Sequence, residues 1–295
     1  MLKRQLDFYA RYGRLIHTAK YIMKGGSSMN LTMLGTGHAF VTECYNTCFV
    51  MHERSQFFLI DGGGGNTLLK QLKSANISWK EIKTIFVTHK HIDHVTGILW
   101  LIRLICEYMS LGEYEGDVHI YAHTELIKTI QNISNMLLQE KEAEFIGKRL
   151  FLVPVTDRQE VEIIGYKTAF FDIQSKKARQ YGFTMFLEHN EKLTCCGDEP
   201  YHDSVKYYAE NSKWFLHEAF CLHSQADLFH PYEKHHSTVK EACQIAEQLK
   251  VKNLLLYHTE DTNIGRRKEL YTAEGSKYFS GNLYIPDDLE TIKIQ

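Results

Sequence analysis

The sequence predicts a layered α/β sandwich. From Asn30 onward short β-type runs alternate with helical ones, and they fall into two β-rich halves with helices interspersed. No internal repeat, low-complexity linker or Pro/Gly/Ser-rich boundary follows Met29, and the whole chain has only four prolines. One large domain over residues 29–295 is the expected organisation.

In the first half, 31–34, 47–51, 57–60 and 82–87 read as strands, rich in β-branched, aromatic and long apolar residues. Residues 66–72 and 95–109 read as helices. In the second of these Ile98, Leu101, Ile102, Ile105 and Met109 recur at three- and four-residue steps, which turns a broad apolar face toward a sheet. In the second half strands are expected at 118–121, 150–155, 167–171, 181–187, 193–196, 214–216 and 253–257. Between the last two, 238–249 reads as a helix opened by a Thr238-x-x-Glu241 capping box, with Val239, Ala242, Ile245, Ala246 and Leu249 on its apolar face.

Composition is that of a soluble enzyme: 295 residues, 44% hydrophobic and 24% charged, with 34 basic residues against 36 acidic ones. A net charge of −2 gives no general electrostatic case for nucleic acid or membranes, although a local basic groove stays open. Seven cysteines, at 44, 48, 106, 195, 196, 221 and 243, have neither metal-finger spacing nor an even count. A disulfide framework is therefore not expected, and a reducing cytoplasm fits. Residues 1–28 read as an extension. Leu15–Met23 is interrupted by His17 and Lys20, so it cannot serve as a secretory or membrane-spanning segment. Lys24–Ser28 could be encoded by a purine-rich ribosome-binding sequence, which makes Met29 the expected start.

The strongest chemical signal is Thr88-His89-Lys90-His91-Ile92-Asp93-His94, directly behind an apolar run and ahead of a helical pattern. Three imidazoles and a carboxylate at this spacing can be aimed from a strand-to-helix turn at two neighbouring cations. Zinc suits the ligand mixture; manganese and iron share it. Asp61 ends a strand and precedes four glycines, so its carboxylate can brace the metal loop; a plain turn residue is the alternative. The run Gly62–Gly65 lacks the Lys-Ser/Thr ending of a phosphate-binding loop.

His89-x-His91-x-Asp93-His94 resembles the metal motif of the metallo-β-lactamase superfamily, and the likeness covers residues 29–260. Leu34-Gly35-Thr36-Gly37-His38, Leu59-Ile60-Asp61-Gly62, Gly197-Asp198 and Tyr257-His258 resemble further motifs of that superfamily. Leu216-His217-Glu218-Ala219-Phe220 and His235-His236-Ser237-Thr238 resemble segments of its ribonuclease Z branch. The resemblance implies a four-layer αβ/βα fold and metal-assisted hydrolysis of a phosphodiester, with two cations roughly 3.5–4 Å apart. It assigns His89, His91 and Asp198 to one ion and Asp93, His94, Asp198 and His258 to the other, with Asp93 also orienting the water. His236, oriented by Glu218, would protonate the leaving alkoxide, work suited to an imidazole.

Where the branch has a further histidine ligand, this chain is expected to place Gln174, a poor zinc ligand, with Asp172 as the substitute if the loop shifts. His38, His123, His202 and His223 are expected to be structural or to lie behind the ligands, and His189 to sit at a hairpin tip. Only residues 175–197 separate Gln174 from Asp198, too few for the long arm with which tRNA-processing members grip their substrate. Lys176, Lys177 and Arg179, or Arg266, Arg267 and Lys268, could meet substrate phosphate, although such runs are ordinarily solvated faces. The expected function is a phosphodiesterase acting on RNA or a smaller phosphodiester, with no membrane partner and, by resemblance, a homodimer. The alternatives are a degenerate module that binds metal or nucleotide without turnover, and a hydrolase of another ester class.

Overall fold

The computed structural model describes residues 28–295; the expected extension lies outside them except for Ser28. Its strands are β1 (Asn30–Gly35), β2 (Cys48–Glu53), β3 (Gln56–Ile60), β4 (Thr84–Phe86), β5 (Val118–His123), β6 (Leu150–Val155), β7 (Glu160–Ile163), β8 (Tyr166–Asp172), β9 (Tyr181–Phe186), β10 (Lys192–Cys195), β11 (Trp214–Glu218), β12 (Asn253–Tyr257), β13 (Asn282–Tyr284) and β14 (Thr291–Lys293). They build two seven-stranded sheets, ordered β14-β1-β2-β3-β4-β5-β6 and β13-β12-β11-β10-β9-β8-β7. The longer helices are α1 (Thr67–Ser74), α2 (Ile92–Ser110), α3 (Thr124–Leu137), α4 (Val239–Gln248) and α5 (Arg267–Gly275).

Side-chain alternation along the strands sorts the apolar residues into layers. Met51, Phe58 and Ile60 of the first sheet and Phe183, Leu216 and Leu255 of the second meet in one core between the sheets. Their neighbours Val50, Leu59 and Ile85 face outward onto α1, α2 and α3. On the far side Phe215, Leu254 and Leu256 face α4 and α5. Helix, sheet, sheet, helix is the four-layer αβ/βα arrangement.

Two departures from the sequence pattern matter for the site. The helix expected to begin at Val95 begins at Ile92, so Asp93 and His94 lie in its first turn and His91 precedes it. A carboxylate there complements the positive end of the helix; polar ligands interrupt the apolar period and hide the turn from pattern reading. Helix α3 was not expected at all, although Leu126, Ile127 and Ile130 form its buried stripe.

Gly62 and Gly97 fix how closely α2 approaches the loop after β3. A Cβ on Gly97 would lie 1.8 Å from the Gly62 carbonyl oxygen. Gly62 N donates to His94 O at 2.8 Å and Gly97 N to Gly63 O at 3.0 Å. Only glycine permits this contact, which ties the turn carrying His94 to the loop carrying Asp61.

Candidate metal centre

The first sheet delivers the histidine motif from the C-terminal end of β4, which is flanked by parallel β3 and β5. Asp61, in a left-handed conformation with φ of 57°, sets the orientation of two of the rings. Its carboxylate accepts hydrogen bonds from Thr88 N and Thr88 Oγ1, both at 2.8 Å. Since the Thr88 hydroxyl proton goes to Asp61, its oxygen is left to accept from His89 Nδ1 at 2.9 Å. His94 Nδ1 donates to Asp61 Oδ2 at 2.7 Å. Both rings thereby commit Nδ1 to these bonds and turn Nε2 inward, the orientation that metal-ligating imidazoles require.

The second sheet brings the remaining groups from the ends of three mutually parallel strands, β10, β11 and β12. Asp198 follows β10 through Gly197, whose φ is 63°. A Cβ on Gly197 would meet Gln180 Nε2 at 2.5 Å, and that amide instead donates to Asp198 Oδ1 at 2.6 Å. Lys177 Nζ donates to the Asp198 carbonyl at 2.8 Å and lies 3.5 Å from its carboxylate and 3.6 Å from that of Glu199. Glu218 ends β11 fully buried; one oxygen accepts from Ser237 N and Oγ, and the other stands 3.4 Å from His236 Nδ1. His258 follows β12 with a φ of 60°.

These groups converge. His94 Nε2 lies 3.4 Å from Asp93 and 3.9 Å from Asp198, and His258 Nε2 lies 3.6 Å from each. His89 Nε2 is 3.5 Å from Asp198 on its other side. Ligand atoms fall into three groups with mutual distances inside 4.8 Å: His89, His91 and Asp198; Asp93, His94 and His258; and Asp198, His236 and His258.

A divalent cation fits this donor set. His94 Nε2 and both ring nitrogens of His258 are buried without a hydrogen-bond partner, while the carboxylates of Asp61, Asp93 and Asp198 are buried around them. Burial alone would push the Asp198 carboxyl up, but nearby His89, Lys177, His258 and His94 hold it well below the usual range. Burial likewise disfavours the charged form of His94, yet the Asp93 and Asp61 carboxylates raise its pKa well above normal. The raised pKa of His94 reports the negative potential of Asp93 and Asp61 around it, a potential that a bound cation would also meet.

His89, His91, Asp93, His94, Asp198, His236, Glu218 and His258 are thus brought to one place. Gln174 is not: it is exposed, with its backbone N–H donating to Asp172 Oδ1 at 2.8 Å, and Asp172 itself pairs with Arg179. The loop from Ile173 to Gln180 instead turns Gln180 and Lys177 inward. Gln174, expected at the position of the further histidine ligand, therefore lies away from the ligands, and the amide beside them is that of Gln180. Gln180 was missed, since an amide carries no ligand signal. The expectation that Arg266, Arg267 and Lys268 could meet substrate also fails, because Arg267 is buried against Thr36, Thr259 and Pro286 while Arg266 and Lys268 pair with Glu269 and Glu290. His38 packs 4.5 Å from the Phe220 ring and 6.3 Å from the His258 ring. Glu188–Asn190 forms the turn between antiparallel β9 and β10.

Residues 29–275 match the family described as Anti-Pycsar protein Apyc1. The chain belongs to this family. The Apyc1-family chain is also 26% identical over 312 residues to a ribonuclease Z from Thermococcus sibiricus, covering 90% of this chain and 96% of the relative. Among solved structures it resembles the metallo-β-lactamase fold protein YhfI from Bacillus subtilis, at a TM-score of 0.73 and 18% identity, covering 90% of this chain and 99% of that one. The short form of human tRNase Z follows at 0.67 and 19%, with the same coverage. With its site geometry, the Apyc1-family chain is a metal-dependent, ribonuclease Z-like hydrolase with the metallo-β-lactamase fold. Among the described residues no helix is long and apolar enough to cross a membrane.

Proposed function

We propose that this protein is a dinuclear zinc phosphodiesterase whose substrate is a compact phosphodiester, in the size class of a cyclic mononucleotide or a dinucleotide. The observation that carries this reading is the convergence of two His/Asp groups on Asp198 with His236 and Glu218 beside them. In the proposal His89, His91 and Asp198 hold one cation, and Asp93, His94, Asp198 and His258 hold the other. When bound, the cations supply Lewis-acid stabilisation of the phosphoryl charge and a nucleophile active at neutral pH. Asp93 orients the attacking water. His236, held by Glu218, gives a proton to the leaving alkoxide. Burial opposes ionisation of Glu218, but its contacts with His236 and Ser237 keep it a carboxylate, the form that steadies a protonated imidazole.

A compact substrate is favoured by the connection between Gln174 and Asp198, which consists of a short loop and the β9–β10 hairpin, with no projecting arm among the described residues. RNA is the second reading, favoured by the name of the curated relatives. We include in the proposal the reducing cytoplasm suited to seven free cysteines, a homodimer measurable by sedimentation, and residues 29–295 as the hydrolase unit.

The test combines elemental analysis with hydrolysis of cyclic mononucleotides, dinucleotides, an aryl phosphodiester and trailer-bearing pre-tRNA. Two zinc ions per chain and turnover of the small diesters are expected. His236→Ala should slow esters with an alkoxide leaving group by about 10²–10⁴-fold and aryl esters much less, since a phenolate leaves without a proton. Turnover of pre-tRNA alone would transfer the assignment to RNA, and bound metal without any turnover would leave a binding module.

A further inference from the structure

Arg267, the first residue of α5, is the largest of the fully buried side chains among the described residues, at 1% exposed. A guanidinium in the interior gives up its hydration, a loss that a fold sustains only where the fork is well used. Its Nη1 donates to two hydroxyls, Thr36 Oγ1 at 3.0 Å and Thr259 Oγ1 at 2.8 Å, and its Nη2 donates to the Pro286 carbonyl at 2.8 Å. Half-exposed Asp287 lies 3.2 Å from Nη2. The Thr36 hydroxyl gives its own proton to Asp288 Oδ1 at 2.8 Å, which leaves its oxygen to accept from Arg267. Nothing in the hydrolytic chemistry above uses this cation.

Thr36 follows β1 of the first sheet and Thr259 follows His258 at the end of β12, so one nitrogen of Arg267 joins the two sheets directly behind a candidate metal ligand. His258 needs such support more than its partners do. The rings of His94 and His89 are held from behind through Nδ1 by Asp61 and Thr88. His258 Nδ1 is buried with no hydrogen-bond partner among the described residues. A ligating imidazole is ordinarily oriented by a bond to its second nitrogen; at His258 the backbone carries that task. The backbone there is left-handed, with φ of 60°, a conformation that a histidine keeps only when its neighbours are fixed. Ala219 N donates to Tyr257 O at 2.9 Å, Thr259 N to Thr36 O at 3.0 Å and His38 N to Thr259 O at 3.0 Å. Arg267 pins the Thr259 side chain.

We propose that Arg267 is the positioning residue of His258: by bridging Thr36 and Thr259 it holds the left-handed turn that aims this imidazole at the cation it shares with Asp93, His94 and Asp198. Arg267 acts through the turn, with Thr259 between its guanidinium and the ligand. This inference rests on the metal-centre reading and on no particular substrate.

The experiment is chelator competition on the full chain loaded with zinc, resolved into two binding steps, with the visible spectrum of the cobalt-loaded protein as a second readout. Thr259→Val removes the hydroxyl that Arg267 holds and leaves the guanidinium in place. Arg267→Lys keeps the charge but cannot span both hydroxyls with a fork. Each should weaken the tighter step by about tenfold or more and change the cobalt bands of that site, with the weaker step moved by less than about twofold. Thr259→Ser, which keeps the hydroxyl, should retain the affinity and spectrum of the natural chain. Arg266→Met, at an exposed neighbour paired with Glu269, should alter neither. Equal loss in both steps, or Thr259→Ser behaving as Thr259→Val does, identifies a merely structural role and overturns the proposal, as do Thr259→Val and Arg267→Lys with unaltered zinc affinity. If Arg267→Lys fails to fold, the two Thr259 variants decide alone. A protein that shows these shifts and hydrolyses no diester supports the role of Arg267 and sinks only the phosphodiesterase reading; one that binds no divalent cation sinks both.

Discussion

The two halves of the metal centre use similar ligands in unlike surroundings. Asp93, His94 and His258 are all buried, and His94 is clamped from behind by Asp61 at 2.7 Å. On the other side of Asp198, His91 is only half-buried and its Nδ1 turns toward His89 Nε2 at 2.8 Å. There the shared carboxylate is steadied by a neutral amide, Gln180, and faced by an ammonium, Lys177. One half is braced directly by a carboxylate; in the other Asp61 reaches His89 only through Thr88, and an amide and a positive charge stand beside the shared Asp198. Affinity in the two halves therefore depends on more than the number of donors, because the groups behind the ligands set both orientation and local charge.

Asp198 is common to both halves, so Asp198→Asn should have the largest effect. We expect hydrolysis to fall by about 10³-fold or more and bound metal to drop below two per chain, read by steady-state rates and elemental analysis. Wild-type stoichiometry in that variant would mean that the two halves are independent sites.

Asp61→Ala and Gln180→Ala sharpen the contrast, since each removes a brace from behind. Chelator competition should show roughly a 10- to 100-fold loss of affinity for Asp61→Ala, which frees the His94 ring and disconnects the Thr88 link to His89. Gln180→Ala should lose about tenfold, confined to the weaker of two resolved binding steps. A loss in the tighter step would reverse the assignment of strength made here. Lys177→Met should act in the opposite direction, tightening the weaker step several-fold and most visibly at low salt, because a cation 3.5 Å from Asp198 opposes a second one. The smallest effect is expected for Gln174→Ala, whose exposed side chain should leave metal affinity within about twofold of the natural chain.

Most of the centre could be read from the sequence because its first half is contiguous: four ligand-type residues crowd the six positions from His89 to His94, and chance seldom writes that. Asp198, Glu218, His236 and His258 are scattered and became visible only through short motifs at strand ends. The four-layer fold was readable for a related reason, since long apolar strands alternate with amphipathic stretches such as Ile98 to Met109. Residues whose role depends on loop conformation were not readable. Gln174 and Gln180 are the same amino acid six positions apart, and only the turn between them, with Gly197 making room for Gln180, decides which one faces the metal-binding residues. The edge strands β13 and β14 escaped because three residues carry too little pattern, and α3 because its apolar stripe is short.

Strands β10, β11 and β12 lie side by side in one direction, with Cys195 beside Leu216 and Leu216 beside Leu255. Deleting a single residue inside any of them would shift its tip by about 3.3 Å and flip every following side chain to the opposite face. Relatives of this protein should therefore vary in length freely in the segment between Asp198 and Trp214 and hardly at all within those three strands, a tolerance map for engineering that follows from alignment of the strand tips alone.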